Sequence, residues 1–256
     1  MILEEIVKNK KKEIAENAAE EATLTPLLSV LPKPKDFLGA ISKKGINLIA
    51  EIKRKSPSAG IIRKDFDVKL LAKTYEKSGA RAISVLTDKK YFGGTIGDLI
   101  EVRKHTKLPI LRKDFIIDRK QIYESRVAGA DAILLIARIL SKKNLADFLA
   151  LAHKLGMYCL VEVHNKPELK KALASGAKII GINNRNLDSL DVNLNTTAAL
   201  KKIMPKSIIS VSESGIKTRS DVINLANKGI NAILVGESIL KNGNVSKKIS
   251  ELIKND

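Results

Sequence analysis

The sequence is short of cysteine, tryptophan and aromatic residues in general. Its one cysteine, Cys159, cannot form an internal disulfide, which excludes a disulfide-stabilised secreted domain and favours a reducing, cytoplasmic location. Cys159 lies in the apolar run Tyr158-Cys-Leu-Val161, so we expect a small buried hydrophobic residue there rather than a nucleophile. Aromatic residues make up 4% of the chain, so a base-stacking surface for nucleic acid is poorly supplied.

Long apolar runs and clustered metal ligands are also missing from the sequence. No apolar run approaches the roughly 18 residues that cross a bilayer, and residues 1–7 lead directly into a lysine-rich stretch instead of the apolar segment of a secretory signal. The histidines, His105, His153 and His164, are scattered, and with one cysteine they form no clustered zinc-ligand set. We therefore expect no membrane association, no signal peptide and no metal.

Acidic residues are outnumbered: 28 Asp and Glu stand against 46 Lys and Arg, and the formal net charge is +18. Such an excess is compatible with nucleic-acid binding, so a non-catalytic RNA-binding protein is one alternative, and it predicts salt-sensitive affinity for RNA. The lysines, however, are spread over every predicted helix with acidic residues among them, which is typical of solvated helix faces. We therefore expect no nucleic-acid partner, and a positive field that attracts a small anionic substrate.

A pattern that recurs about every fifty residues organises the chain. An amphipathic segment ends in a glycine at Gly79, Gly129, Gly176 and Gly229, and an apolar, β-branched run follows each time. Glycine just past a helix end suits the left-handed capping conformation, and the apolar run suits a strand that is buried on both faces. Each repeat therefore predicts a helix followed by a buried strand.

Four further apolar runs alternate with these and complete an α/β fold of the (β/α)8 TIM-barrel type with an N-terminal helical extension. They are Leu48–Lys53, Leu108–Lys113, Tyr158–Val163 and Ser207–Glu213; predicted helices include Leu3–Glu21, Asp36–Lys44, Val68–Lys77, Arg119–Ala128, Asn144–Leu155, Pro167–Ala174, Thr197–Met204 and Ser220–Lys228. Strict alternation of strand and helix implies parallel pairing, and eight such units in 256 residues favour a closed barrel. We predict one domain, with the extension at residues 1–46 and the barrel at residues 47–256.

Polar residues end the predicted strands, where a barrel of this type has its active site. They are Glu51, Lys53, Lys113, Glu162, Asn183, Arg185 and Glu213. Glu51 and Lys53 are two positions apart and share one face of the first strand, and Glu162 stands alone between two valines. An ion-pair network of Glu51, Glu162 and the two lysines that only fills the barrel is the alternative to a catalytic site.

Glycines after the seventh and eighth predicted strands indicate a phosphate site, because they free backbone N–H groups in loops that commonly bind phosphate. The residues concerned are Ser214, Gly215, Gly236 and Glu237. Lys53 with the hydroxyls of Ser56 and Ser58 could complete this anion site, although a Ser-Pro-Ser sequence is often only a turn.

Six sequence blocks follow one another at the predicted strand ends. They are Glu51-Ile-Lys-Arg-Lys-Ser-Pro-Ser58, Leu111-Arg-Lys-Asp-Phe-Ile-Ile-Asp118, Leu160-Val-Glu-Val-His164, Gly181-Ile-Asn-Asn-Arg-Asn-Leu187, Ser212-Glu-Ser-Gly-Ile216 and Leu234-Val-Gly-Glu-Ser238. The first matches E-x-K-x-x-S-P-S of the indole-3-glycerol phosphate synthase family, which the chain resembles over essentially its whole length. The resemblance implies a lyase of tryptophan biosynthesis, without cofactor or metal, that converts 1-(2-carboxyphenylamino)-1-deoxyribulose 5-phosphate to indole-3-glycerol phosphate, carbon dioxide and water.

The same resemblance implies catalytic roles. Lys113 is the implied general acid, which protonates the carbonyl oxygen, and Glu162 the general base, which acts when water is lost. Lys53 holds a substrate anion, Glu51 orients the lysines and assists dehydration, and Asn183 binds the reacting hydroxyl. We expect the charge of Lys53 to ease proton release from Lys113.

Substrate contacts are implied as well. Ser56 and Arg185 place the substrate carboxylate; Glu213, Ser214 and Gly215 line the site; Gly215, Gly236 and Glu237 offer backbone N–H groups to phosphate; and Phe92 and Phe115 either pack in the core or stack on the substrate ring. The side chain of Glu237 must then point away from the phosphate. We expect His164 to be a supporting residue rather than a proton-transfer group.

A shorter phosphate-binding barrel, phosphoribosylanthranilate isomerase, is the alternative among enzymes. It explains the glycines after the last two strands but lacks the N-terminal helices and the E-x-K-x-x-S-P-S block. The implied partner is a small anionic phosphorylated substrate, and no obligatory protein partner is inferred.

Overall fold

The computed structural model describes residues 2–17, 19–63, 65–187 and 189–253. Its centre is a closed barrel of parallel strands, in which each strand pairs with its neighbours in chain order and the last pairs with the first. The strands are β1 Asn47–Ile52, β2 Ala82–Leu86, β3 Ile110–Lys113, β4 Ala132–Ile136, β5 Tyr158–Val163, β6 Ile179–Asn183, β7 Ile209–Glu213 and β8 Ala232–Val235. The predicted (β/α)8 TIM barrel is confirmed.

Helices precede the barrel and alternate with its strands. They are α1 Ile2–Asn17, α2 Glu21–Leu24, α3 Phe37–Ile41, α4 Val68–Lys77, α5 Lys89–Phe92, α6 Ile96–His105, α7 Arg119–Val127, α8 Lys142–Lys154, α9 Lys166–Ala174, α10 Asn195–Lys201, α11 Arg219–Asn227, α12 Glu237–Leu240 and α13 Val245–Ile253, with a 3₁₀ helix at Thr25–Val30. Over the described residues, none of these helices has both the length and the apolar character that a membrane span requires. The predicted helix Val68–Lys77 coincides with α4, whereas no bounds were predicted for α6, which lies between β2 and β3, or for α13.

The glycine of each repeat ends its helix as predicted. Gly79, Gly129, Gly176 and Gly229 all have positive φ, between 75° and 95°. At Gly79, the backbone N–H still bonds to the helix carbonyl of Glu76 while the chain turns towards β2. Because this left-handed conformation is strained for other residues, the glycines determine where each helix ends and the chain turns into the next strand.

Side chains alternate along each strand between the barrel interior and the helix layer. Ile49, Leu111, Leu160, Val211 and Leu234 belong to one buried cluster with Phe37 and Ile41 of α3, which fill the interior next to the strand N-termini. Val161 and Val163 belong instead to the cluster between barrel and helices. The interior positions two residues further along the strands are Glu51, Lys113, Glu162, Glu213 and Gly236. A polar layer therefore lies directly above the apolar interior.

Candidate active site

A cavity of about 1220 Å³ opens at the carboxyl ends of the strands. Every predicted site residue lines it: Glu51, Lys53, Ser56, Ser58, Phe92, Lys113, Phe115, Glu162, Asn183, Arg185, Glu213, Ser214, Gly215, Gly236 and Glu237. The strands bring these residues together because interior-facing positions of neighbouring strands lie opposite one another. Glu162 of β5 is in register with Gly181 of β6, and Asn183 of β6 is in register with Glu213 of β7.

Lys113 lies at the centre of the polar layer among carboxylates. Its Nζ is 3.5 Å from Glu162 Oε2 and 3.7 Å from Glu213 Oε2. Burial disfavours the charged amine, yet Glu162, Glu213 and Glu51 outweigh it and raise the pKa of Lys113 above that of a free lysine. The expectation that Lys53 eases proton release is therefore wrong for the free protein, because Lys53 Nζ instead pairs with Glu51 Oε1 at 2.6 Å.

Glu162 and Glu213 are both buried but have pKa values shifted in opposite directions. Burial would raise the pKa of Glu162, but the charges of Lys113 and His164 prevail and lower it. Burial and the neighbouring carboxylates raise the pKa of Glu213 to about 8, against the attraction of Lys113. At neutral pH the site thus holds an ionised carboxylate that can accept a proton beside a carboxyl that is largely protonated.

A glycine of β6 makes room for the Glu213 carboxylate. A Cβ atom at Gly181 would lie 2.1 Å from Glu213 Oε1, a distance that no side chain could tolerate without moving the carboxylate. This function of Gly181 cannot be seen in the sequence alone, because the need for a glycine arises from a residue that is distant along the chain. Its position in one of the six blocks was the only available signal.

Asn184 shapes the turn after β7, and its function was also missed. Its Nδ2 donates to the carbonyl oxygens of Glu213 and Ser214 at 2.9 and 3.1 Å, and its Oδ1 accepts from Thr197 Oγ1 at 2.8 Å. The turn that it holds has left-handed backbone at Ser214, with φ 65°, and at Gly215, with φ 83°. Asn184 therefore stabilises a conformation that is unfavourable for serine.

The last two strand ends supply the candidate anion site. Within the described part of the chain, the backbone N–H groups of Gly215 and Ile216 make no hydrogen bond. Gly236 has an ordinary negative φ and is required for a different reason, since a Cβ there would lie 2.5 Å from Glu51 Oε1. The absence of a side chain at Gly236 therefore lets the start of α12 approach the polar layer.

The Glu237 carboxylate borders the same opening. Its Oε1 accepts from Lys241 Nζ at 2.7 Å, on the same short helix. Burial would raise the pKa of Glu237, but Lys241 and the charges of Lys53 and Arg185 lower it. Lys241 thus holds the Glu237 side chain at the cavity rim, close enough to Lys53 and Arg185 for their charges to stabilise the carboxylate.

The remaining predicted residues form the walls of the cavity. The rings of Phe92 and Phe115 are 6.0 Å apart and form an aromatic wall. Ser56 lies in a β-hairpin, Lys55–Ser56 with Gly60–Ile61, and its Oγ accepts the N–H of Ala59, so the Ser-Pro-Ser sequence is a turn that also borders the cavity. The Nη1 atom of Arg185 donates to the carbonyl of Leu190 at 3.0 Å.

The N-terminal helix α1 covers part of the cavity, with Ile2, Leu3 and Ile6 in the lining. Lys10, which is buried, anchors it; the Nζ atom lies 3.0 Å from both Asp88 Oδ2 and Asp114 Oδ1. Asp114 directly follows Lys113, so this anchor joins the extension to the strand that carries the central lysine. The function of Lys10 was not predicted, because in the sequence this residue is one lysine in a lysine-rich stretch.

Other candidate chemical groups are inert or dispersed. Cys159 is buried, and burial raises the pKa of its thiol, as a hydrophobic rather than a nucleophilic residue requires. Among the described residues, no three His, Cys, Asp or Glu side chains are grouped so as to hold a metal ion.

Comparison with known proteins identifies the family. The sequence profile described as indole-3-glycerol phosphate synthase matches residues 3–252. The indole-3-glycerol phosphate synthase of Endomicrobium trichonymphae is 47% identical over 98% of this chain and 99% of its own length, and that of Acetivibrio thermocellus is 48% identical over 98% of both chains.

Solved structures with low sequence identity share the fold. A mutant tryptophan synthase α-subunit from Pyrococcus furiosus superimposes with a TM-score of 0.61 at 17% identity, covering 80% of this chain and 97% of that one. Thiamine phosphate pyrophosphorylase from the same organism gives a TM-score of 0.60 at 17% identity, covering 81% and 93%. These likenesses show the fold alone, whereas the profile spans residues 3–252 and the similar sequences cover nearly the whole chain: the chain belongs to the indole-3-glycerol phosphate synthase family of carboxy-lyases.

Proposed function

We propose that the protein converts 1-(2-carboxyphenylamino)-1-deoxyribulose 5-phosphate to indole-3-glycerol phosphate, carbon dioxide and water. The family assignment supports this reaction, and the cavity offers the groups that it requires. A proton donor and a proton acceptor lie side by side at Lys113 and Glu162, and anion-binding groups lie at the cavity rim. The contact of Lys113 with Glu162 at 3.5 Å carries the proposal.

In the first step, Lys113 is the general acid. The aromatic carbon that bears the carboxylate attacks the substrate carbonyl carbon, and Lys113 delivers a proton to the carbonyl oxygen as the new carbon–carbon bond forms. Loss of carbon dioxide returns an electron pair to the ring and restores its aromaticity. The raised pKa of Lys113 ensures that the amine carries this proton at neutral pH.

In the second step, Glu162 is the general base. The hydroxyl formed by ring closure leaves as water after it gains a proton, and Glu162 accepts the proton released as the indole double bond forms. Asn183, which lies in register with Glu213 on the neighbouring strand, hydrogen-bonds the reacting hydroxyl. Glu51 holds Lys53 at 2.6 Å and assists the departure of water, while Lys53 binds a substrate anion.

The ends of the substrate are held by different walls of the cavity. The N–H groups of Gly215, Gly236 and Glu237 bind the phosphate, with Ser214 and Glu213 beside it. Ser56 and Arg185 place the carboxylate, and Phe92 and Phe115 contact the aromatic ring. The overall charge of +18 favours capture of such an anion.

A fluorescence assay tests the proposal directly. The chain contains no tryptophan, so indole-3-glycerol phosphate formed from the carboxyphenylamino-deoxyribulose phosphate emits over a low protein background. Phosphoribosylanthranilate serves as the control substrate. Turnover of the first substrate supports the proposal, whereas turnover of phosphoribosylanthranilate alone would identify an isomerase instead.

A further inference from the structure

The largely buried side chain of His164 stands between two carboxylates next to the cavity. Its side chain is 8% exposed, with Nδ1 at 3.0 Å from Glu168 Oε2 and Nε2 at 3.4 Å from Glu162 Oε1. The Glu162 contact is an ion pair rather than a hydrogen bond, since His164 Nε2 makes no hydrogen bond within the described residues. Nε2 thus faces Glu162, the candidate base, and Nδ1 faces Glu168 of helix α9, outside the barrel.

The Glu168 carboxylate is held in place by hydrogen bonds to groups at and just before the start of α9. Glu168 Oε2 also accepts the backbone N–H of His164 at 2.8 Å, and Glu168 Oε1 accepts from Asn165 Nδ2 at 2.9 Å. Asn165 caps the helix in return, because its Oδ1 accepts the N–H of Glu168 at 2.9 Å. With both oxygens engaged, the Glu168 carboxylate fixes the orientation of the imidazole.

The two oxygens of Glu162 face different partners. Oε1 is directed at His164, whereas Oε2 is buried, lies 3.5 Å from Lys113 Nζ and makes no hydrogen bond within the described residues. The charged groups acting on Glu162 are thus Lys113 from β3 and His164 from its own strand, and Glu213 from β7 interacts with all three. The carboxylate thus stands between two cations, with Oε1 on the histidine side and Oε2 on the lysine side.

We propose that Glu168 and His164 form a positioning relay, in which the imidazolium holds Glu162 Oε1 and so keeps the Glu162 carboxylate in place beside Lys113. This inference rests on the proposed function, since it presupposes that Glu162 is the base. His164 is a positioning residue, because the contacts that define its function are with Glu162 and Glu168. Burial opposes its charge, but the two carboxylates prevail and raise the pKa of His164 to about 9, so the imidazolium persists at neutral pH.

Two variants separate the relay from a structural function. Glu168→Gln retains the size of the side chain but removes the charge that favours the imidazolium, so the pKa of His164 must fall and its charge is lost at lower pH. We expect the alkaline limb of kcat, near pH 9 in the wild type, to move towards neutral pH by about one unit or more. His164→Gln should lower kcat by about tenfold or more below pH 9, where the wild type holds the imidazolium, and should abolish the alkaline limb, with a smaller change in KM.

A matched control is available on α6. His105 also pairs with a glutamate four residues away, since its Nδ1 lies 3.4 Å from Glu101 Oε1, but Glu101 does not line the cavity, whereas Glu162, the partner of His164, does. His105→Gln should therefore leave both kcat and its pH profile as in the wild type. A purely structural function of His164 would lower the stability of the variants without moving the alkaline limb, and an unmoved limb in Glu168→Gln would overturn the relay.

A second measurement needs no substrate. The chain has three histidines, so the NMR titration of the imidazole C–H signals resolves each of them in untagged protein. The signal of His164 should titrate near pH 9, and at lower pH in Glu162→Gln and in Glu168→Gln. An ordinary, unshifted titration overturns the relay even if turnover is observed, whereas a shifted titration without any turnover supports the relay contacts and rejects the proposed function.

Discussion

The carboxyl groups around Lys113 cannot all ionise without cost, because they share one buried cation. Glu162 lies 3.5 Å and Glu213 3.7 Å from the same amine, and neither is more than 3% exposed in its side chain. The proton that is retained therefore resides largely on Glu213, whose pKa is raised to about 8. This division leaves Glu162 ionised, as its proposed role of general base requires, and gives the site a built-in dependence on pH.

Replacement of Glu213 by glutamine should alter the pH dependence of stability. Between about pH 4.5 and 8 the folded state holds a proton on Glu213 that the unfolded state has lost, so this group lowers the free energy of unfolding as the pH rises. Glutamine cannot titrate, so Glu213→Gln should gain at least about 1 kcal/mol relative to the wild type across this window. Urea denaturation at both ends of the window measures the difference; Glu251→Gln, at an exposed position, is the control, and parallel curves for wild type and Glu213→Gln would refute the assignment.

Gly181→Ala should damage the site with little change elsewhere. The added methyl lies 2.1 Å from the present position of Glu213 Oε1 and displaces that carboxyl from Lys113. We expect kcat/KM to fall by about tenfold or more, together with a loss of about 1–3 kcal/mol in the free energy of unfolding. Gly243→Ala is the matched control, because a Cβ there meets no atom within 4 Å. Retained activity in Gly181→Ala would show that the position of Glu213 is unimportant.

At the scale of elements, the structure depends on contacts between segments that are remote in sequence. Helix α1 reaches the end of β3 through Lys10, which contacts Asp88 and Asp114, and both aspartates are buried. Arg112 of β3 also contacts Asp114, at 3.2 Å, and therefore belongs to the same ion-pair network. Removal of one partner from such a network leaves buried charge without compensation.

Lys10→Met keeps the length of the side chain and removes its charge. We expect the free energy of unfolding to fall by about 3 kcal/mol, as for other buried pairs that lose one partner. Because Ile2, Leu3 and Ile6 of the same helix line the cavity, KM should rise as well. Lys12→Met, at an exposed position of α1, is the control. Equal urea midpoints for the two variants would show that the Lys10 contacts do not hold the helix.

Strands and helices could be predicted where the residues that determine them lie within the same segment of sequence. Alternating apolar runs and the four capping glycines are local signals, so the strands and most helices around them were predicted. The alternation implies a helix between β2 and β3, but helix α6 contains Gly97 and has a weak apolar face, so its bounds were not predicted. The need for Gly181 and the function of Lys10 were missed because each follows from a residue that is distant along the chain, and register is not visible in one segment.

For the molecule as a whole, the barrel divides into an apolar lower part and a polar upper part. The interior below the site is filled by residues such as Ile49, Leu111 and Leu160, and the charged layer rests on them. Because alternate positions of a strand face the same side, polar residues at the strand ends must converge, and the site could be predicted from sequence to that extent. The roles of the individual residues depend on distances and protonation, which the sequence does not contain.

A double-variant cycle on kcat tests the central claim that Lys113 and Glu162 act together in ring closure and dehydration. Lys113→Ala and Glu162→Gln should each lower kcat by about 10²–10⁴-fold, and substrate binding by Lys113→Ala should be largely retained. Because residues that act as a unit are not additive, the double variant should be much less impaired than the product of the single effects. A kcat near that of the wild type in either single variant would contradict the account.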